Sequence, residues 1–97
     1  MEGGGCTVRV RFAGVLVSLA GSSEVTVKVP CGSTLRDLLT TLTSGRPKLA
    51  ERIFRGKSIA PGIYIAVNDV DVRLLNSLST RLNDGDTVLI LSYIHGG

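Results

Sequence analysis

A chain of 97 residues, 43% apolar and 20% charged, is long enough for one hydrophobic core and too short for two, so its composition excludes a disordered chain and a two-domain architecture. Its eleven basic side chains are scattered among eight acidic ones, for a net charge of +3, and it has two Phe, two Tyr and no Trp. That pattern lacks the clustered cations and stacking platforms of a direct nucleic-acid binder. The most apolar early stretch, residues 13–20, is too short to cross a bilayer and has no basic segment before it, so the expectation is a cytoplasmic protein with no membrane partner.

Three consecutive glycines in "MEGGG" leave nothing to bury, and a flexible arm is expected over residues 1–6. In "TVRVRF" Val8, Val10 and Phe12 alternate with Thr7, Arg9 and Arg11, the period of a strand with one wet face. "EVTVKV" repeats the pattern with Val25, Val27 and Val29. An antiparallel hairpin through a loop at residues 14–23 sets Val8 opposite Val29, Val10 opposite Val27 and Phe12 opposite Val25; slips by two residues keep the same faces together and stay open. "PCGSTLRDLLTTL" then changes period. Leu35, Leu38, Leu39 and Leu42 follow helical spacing, and Thr34 with Asp37 stands where a capping box falls, so a helix begins at Ser33 or Thr34. Gly45 and Pro47 end or interrupt it, and "KLAERIF" adds a turn or two with Leu49, Ile53 and Phe54 inward.

Residues 56–62 are expected to be loop. "IYIAV" is a strand covered on one face, Asn68 and Asp69 supply the positive φ of a tight hairpin, and a return strand covers residues 70–73. "NDGD" at residues 83–86 is a turn, and "TVLILS" is the last strand. The order β-β-α-β-β-β predicts an α+β fold, a mixed four- to five-stranded sheet with one main helix packed across it. The folded domain is expected over residues 7–92, followed by an extended tail over residues 93–97.

Cys6 and Cys31 have neither CxxC spacing nor a histidine partner, which argues against zinc, and no metal site is expected. The proposed register puts Cys6 opposite Cys31. A cross-strand disulfide and a pair of separate thiols are both open.

That element order, closing on "SYIHGG", resembles the β-grasp fold of ubiquitin and its sulfur-carrier relatives. "VNDVDVRLLNSLSTRLNDGDTVLILSYIHGG" is similar to the end of the ubiquitin-related modifier family, and "RFAG" near the start is family-like. The molybdopterin synthase small subunit and the thiamine sulfur carrier share the turn and the diglycine more loosely.

The resemblance implies a carrier, not an enzyme. A C-terminal carboxylate is ionised at neutral pH and is a poor electrophile. In the resembling families a separate adenylating enzyme uses ATP and Mg²⁺ to convert the last glycine, here Gly97, to an acyl-adenylate that accepts sulfur as a thiocarboxylate. No cofactor is expected on this chain itself. The implied destination is tRNA thiolation, through a sulfur donor or a thiolation enzyme. Attachment of Gly97 to lysines of target proteins is the alternative, and molybdopterin synthesis comes third; whether Lys28, Lys48 or Lys57 supports chain formation stays open. Gly96, with no Cβ, would pass a narrow channel, while Tyr93, Ile94 and His95 would grip a partner groove. His95 is the only histidine and has no Cys or Asp beside it, so it is expected to be a spacer.

If Val88 and Ile90 face inward, Leu89 and Leu91 point out beside Arg9 and Arg11 as a partner surface; the reverse phase puts those leucines in the core. A β-grasp module that binds a partner through its sheet and never uses its terminus chemically remains a rival. No Ser-His-Asp, Cys-His or paired-carboxylate set suggests catalysis, and Asp84 with Asp86 is read as turn chemistry.

Overall fold

The computed structural model of the chain describes residues 5–93. Gly5–Ala13 (β1) and Glu24–Pro30 (β2) pair antiparallel, and Thr87–Ser92 (β7) lies parallel to β1 on its other side. Ile63–Val67 (β5) and the two-residue Val70–Asp71 (β6) complete a mixed five-stranded sheet in the order β2-β1-β7-β5-β6. Three helices accompany it: Leu16–Ala20 (α1), Leu35–Thr43 (α2) and Pro47–Ile53 (α3). Phe54–Arg55 (β3) and Ser58–Ile59 (β4) form a separate small hairpin, so that Phe54, expected at the end of a helical turn, is in a strand and the second strand lies within the expected loop. Short 3-10 turns follow at Val72–Leu74 and Ser77–Ser79, so the expected return strand stops at Asp71. Among the described residues no helix is long and apolar enough to cross a membrane.

The core forms where the two sequence periods meet. Val8, Val10 and Phe12 of β1, Ile65 of β5 and Val88 and Ile90 of β7 point toward Leu35, Leu38, Leu39 and Leu42 of α2, with Leu49 and Ile53 of α3 in the same cluster. Removing each large aliphatic side chain from water contributes about 1.5–3 kcal/mol, which outweighs the modest intrinsic preference of so short a helix. The start of α2 is set as expected. The Thr34 hydroxyl accepts the Asp37 amide at 3.2 Å, and the Asp37 carboxylate accepts the Thr34 amide at 2.9 Å. Thr43, buried in the last turn, donates its hydroxyl to the Leu39 carbonyl at 2.8 Å, so no polar group is stranded there.

Three expectations are corrected. The 1–6 arm ends sooner, because Gly5 and Cys6 belong to β1 and pair with Pro30 and Val29; residues 1–4 lie outside the described residues. The hairpin register is shifted by two: Val8 faces Val27 and Val10 faces Val25. Such a slip leaves every valine on its own face, so the alternation could not detect it. What decides is the connection, where α1 buries Leu16 completely in the core and packs on α3. The loop expected at residues 14–23 holds α1, while α2 is the expected main helix and α3 the expected turn or two after it.

Cys6 and Cys31 are joined in a disulfide, with Cα atoms 4.9 Å apart, although Cys6 pairs with Val29 and not with Cys31. The turn in which the Ser33 amide donates to the Pro30 carbonyl at 3.1 Å carries Cys31 back over the strand end. The bond spans a sequence separation of 25. Closing a loop of that length restricts the unfolded chain by about 3 kcal/mol, so the oxidised protein should unfold at a clearly higher urea midpoint than the Cys6→Ser/Cys31→Ser variant. Coincident urea curves would contradict this.

Candidate functional site

The last strand is anchored at its start by two turns, one that ties it to the first strand and one that ties it to the β5–β6 hairpin. In "NDGD" the Asp84 carboxylate accepts the Thr7 amide at 2.7 Å, the Gly85 amide donates to the Thr7 carbonyl at 2.8 Å, and the Arg9 amide donates to the Asp86 carbonyl at 2.9 Å. Gly85 turns with φ +87°, open to glycine at no steric cost. The Asp86 side chain, buried, accepts the Asn83 amide at 2.7 Å and the Asn68 side-chain amide at 2.9 Å, while the Asn68 side-chain carbonyl accepts the Thr87 amide at 3.0 Å. Asn68 and Asp69 have the positive φ expected of the tight hairpin. Both acidic residues of the turn are thus spent on backbone amides.

From that anchor β7 runs outward with its phase resolved. Val88 and Ile90 are fully buried, and Leu89 and Leu91 lie on the other face of the sheet. Cross-strand pairing surrounds them: Leu89 lies between Arg11 and Ala66, and Leu91 between Ala13 and Tyr64. The two leucines are half-buried, because their neighbours in the row cover their flanks. Arg9 and Arg11 border this strip, but Glu24 reaches both guanidinium groups, at 3.2 and 3.9 Å. These pairs are exposed and worth at most about 1 kcal/mol each, so they trim the local charge without locking it.

Beyond Ser92 the ladder continues one step. The Tyr93 amide donates to the Gly62 carbonyl at 3.0 Å while its side chain stays 64% exposed. On the opposite side Gly14, at φ +72°, approaches so closely that a Cβ there would stand 2.5 Å from the Ser92 carbonyl oxygen. The exit of the tail is therefore held from both neighbouring strands. Ile94, His95, Gly96 and Gly97 lie outside the described residues.

Beside Tyr93 a groove of about 560 Å³ is lined by Tyr64, Lys57, Arg36, Asp71 and Arg73, among others. Arg73 donates three side-chain hydrogen bonds to Asp71, from Nε to both carboxylate oxygens and from Nη2 to one of them, and its amide adds another. These bonds, the side-chain ones foremost, hold the Asp71 carboxyl below its ordinary value, and Asp71 in turn raises Arg73. Sequence alone did not single out Tyr64, Arg73 or Glu24. Glu24 and Tyr64 come to the strip and its arginines through strand register, which no local pattern reveals, and Arg73 lies in the groove beside Tyr64 and Tyr93. No group of residues suited to a metal ion occurs among the described residues.

A helix packed across a mixed sheet whose first and last strands run parallel at its centre defines a ubiquitin-like β-grasp protein. The chain matches the ThiS family over residues 10–97 and belongs to it, among ubiquitin-related modifiers and sulfur carriers. A ubiquitin-related modifier 1 homolog of Arabidopsis thaliana is 38% identical over 68 residues, which make up 66% of this chain and 66% of that one. The small archaeal modifier protein 1 of Methanosarcina acetivorans is 31% identical, covering 98% of this chain and all of its own, with a TM-score of 0.81. A chain of the Amycolatopsis orientalis BexX/CysO complex is 27% identical, covering 93% of this chain and 99% of its own, with a TM-score of 0.76.

Two outcomes are expected. Gly14→Ala forces a side chain into left-handed backbone against Ser92 and should cost about 1–2 kcal/mol, seen as a lower Tm together with shifted Ser92 and Tyr93 amide resonances. The Asp71 contribution, present at pH values above the ordinary carboxylate value of 3.8, is lost as pH falls through the lowered folded value. Acid titration by NMR should therefore place the Asp71 midpoint below 3.8, and Arg73→Ala should bring it back up.

Proposed function

We propose that the chain carries sulfur on Gly97 after activation by a separate adenylating enzyme. The observation that carries this reading is the family match, which runs through the diglycine to residue 97 and sits on a fold whose last strand leads straight to the tail. A Gly97 carboxylate oxygen would attack the α-phosphorus of ATP, held with Mg²⁺ by the enzyme, and displace pyrophosphate. Hydrosulfide would then attack the acyl carbon, expel AMP and lose its proton, leaving a thiocarboxylate for tRNA thiolation. The chain's own part is presentation. Gly96 and Gly97 let backbone approach backbone in a narrow channel, and Tyr93, Ile94 and His95 would run along the partner's groove. The strip of Leu89 and Leu91, with Arg9 and Arg11 at its border, is the docking face for the enzyme, since apolar area beside an extended tail is what a partner can cover.

A second reading, attachment of the activated Gly97 to target lysines, is favoured by the relatives that bear the name of modifiers. Both uses draw on the same acyl-adenylate.

Deletion of Gly97, or Gly97→Trp, should abolish ATP–pyrophosphate exchange with the cognate adenylating enzyme while leaving Tm unchanged. Persistence of exchange would refute both readings. Leu89→Asp with Leu91→Asp should raise the apparent KM for the carrier about tenfold or more with little change in kcat, as expected for lost docking contacts. Intact mass of protein from native cells separates the two uses: replacement of one oxygen by sulfur indicates the carrier, and Gly-Gly remnants on other proteins indicate the modifier.

A further inference from the structure

Among the described residues the outer edge of β2 has no neighbouring strand, and its hydrogen-bonding groups can be assigned one by one. The Phe12 amide donates to the Ser23 carbonyl at 2.9 Å, so by the alternation of an antiparallel ladder Val25, Val27 and Val29 bond to β1. The same alternation turns Thr7 and Arg9 of β1 toward the other side, where their main chains meet Gly85 and Asp86. Glu24, Thr26, Lys28 and Pro30 therefore turn their main-chain groups away from the sheet.

Two of those four are already occupied. The Glu24 amide donates to the Ser22 hydroxyl at 3.2 Å, and that hydroxyl donates to the Glu24 carbonyl at 2.7 Å. Pro30 has no amide hydrogen, and its carbonyl accepts from Ser33. Proteins commonly blunt sheet edges in such ways against unwanted pairing. Here the protection covers both ends and leaves the middle, Thr26 and Lys28, as a window of four groups. It opens on a groove between β2 and the end of α2, lined by Val25, Val27, Leu42 and Arg46. Lys28 and Arg46 are both exposed and carry the charge of this groove, which no acidic side chain lines.

We propose that this window binds an extended segment of a partner protein, with aliphatic residues at alternate positions and carboxylates flanking them. Main-chain bonds to Thr26 and Lys28 would add a strand to the sheet, alternate side chains would enter over Val25, Val27 and Leu42, and the carboxylates would meet Lys28 and Arg46. A second copy of the chain, which in an antiparallel register centred on Thr26 would set Glu24 against Lys28, is the competing occupant, and dependence of the shifts on protein concentration tells it apart. The site lies across the sheet from the β5 and β6 side where Tyr93 leaves the ladder, so a bound segment leaves the tail free.

The probe is the peptide acetyl-Asp-Val-Ile-Val-Asp-Asp-amide, titrated into the isotope-labelled full chain by two-dimensional NMR. Saturable shifts are expected at Thr26, Lys28, Leu42 and Ser44, weakening with added salt. Lys28→Glu with Arg46→Glu should weaken binding about tenfold, the sum expected from two exposed ion pairs. Thr26→Pro should abolish binding while the rest of the spectrum persists, since the lost amide faces away from the sheet. If that variant fails to fold, the charge-reversal pair decides alone. The proposal is overturned if millimolar peptide leaves the β2 resonances in place, if a peptide with Lys at each Asp position binds as tightly, or if the same shifts grow with protein concentration alone.

Discussion

Parallel pairing of β1 with β7 is the constraint on which the rest of this molecule hangs. Parallel neighbours cannot be joined by a tight turn, so all of the chain between them must leave the sheet and come back. The register is held from one end, where the Asp84, Gly85 and Asp86 turn is bonded through main chain and side chain to Thr7 and Arg9. Once Arg9 is level with Thr87, the opposite end follows: Ala13 is level with Leu91, and Gly14 comes against Ser92. An anchor at one pole of the sheet thus sets where the tail departs at the other.

The same pairing divides the sheet into two faces with separate tasks. Facing α2, residues of β1, β5 and β7 make a dry core, and most of the folding free energy arises there. The reverse face keeps a strip of half-buried Leu89, Leu91 and Tyr64 around buried Ala66, bordered by arginines. Such a surface costs little in the free protein and gains when a partner covers it. Under the proposed carrier function that arrangement would have a purpose: the folded body would present the terminus, and the bond-making chemistry would belong to a separate enzyme.

The disulfide adds a local constraint of a different kind. It joins the start of β1 to the turn that leads into α2, next to the point where the Leu35 amide meets the Thr80 carbonyl and the Leu82 amide meets the Ser33 carbonyl. Strand, helix start and returning segment are therefore tied at one corner. The capping box of Thr34 and Asp37 lies in that corner, so the helix begins where the covalent link has already restricted the chain.

By itself the sequence determined the features that depend on neighbours along the chain: the two valine-patterned strands, the leucine-spaced helix and its capping residues, the Asn68-Asp69 and "NDGD" turns, and the diglycine that points to the chemistry. Periodicity and turn preference are local, and they survive any tertiary arrangement. Only the tertiary structure decided the hairpin register, the helix at Leu16–Ala20, the face on which Leu89 and Leu91 lie, the placing of Glu24 and Tyr64 near them, and that of Arg73 in the groove beside Tyr93. A slip of two residues preserves every pattern in the sequence, and an all-apolar strand hides its own phase, so these choices waited on long-range packing. Cys6 and Cys31 show the same division: their number and spacing allowed a bond, and the turn after Pro30 brought the two sulfur atoms together.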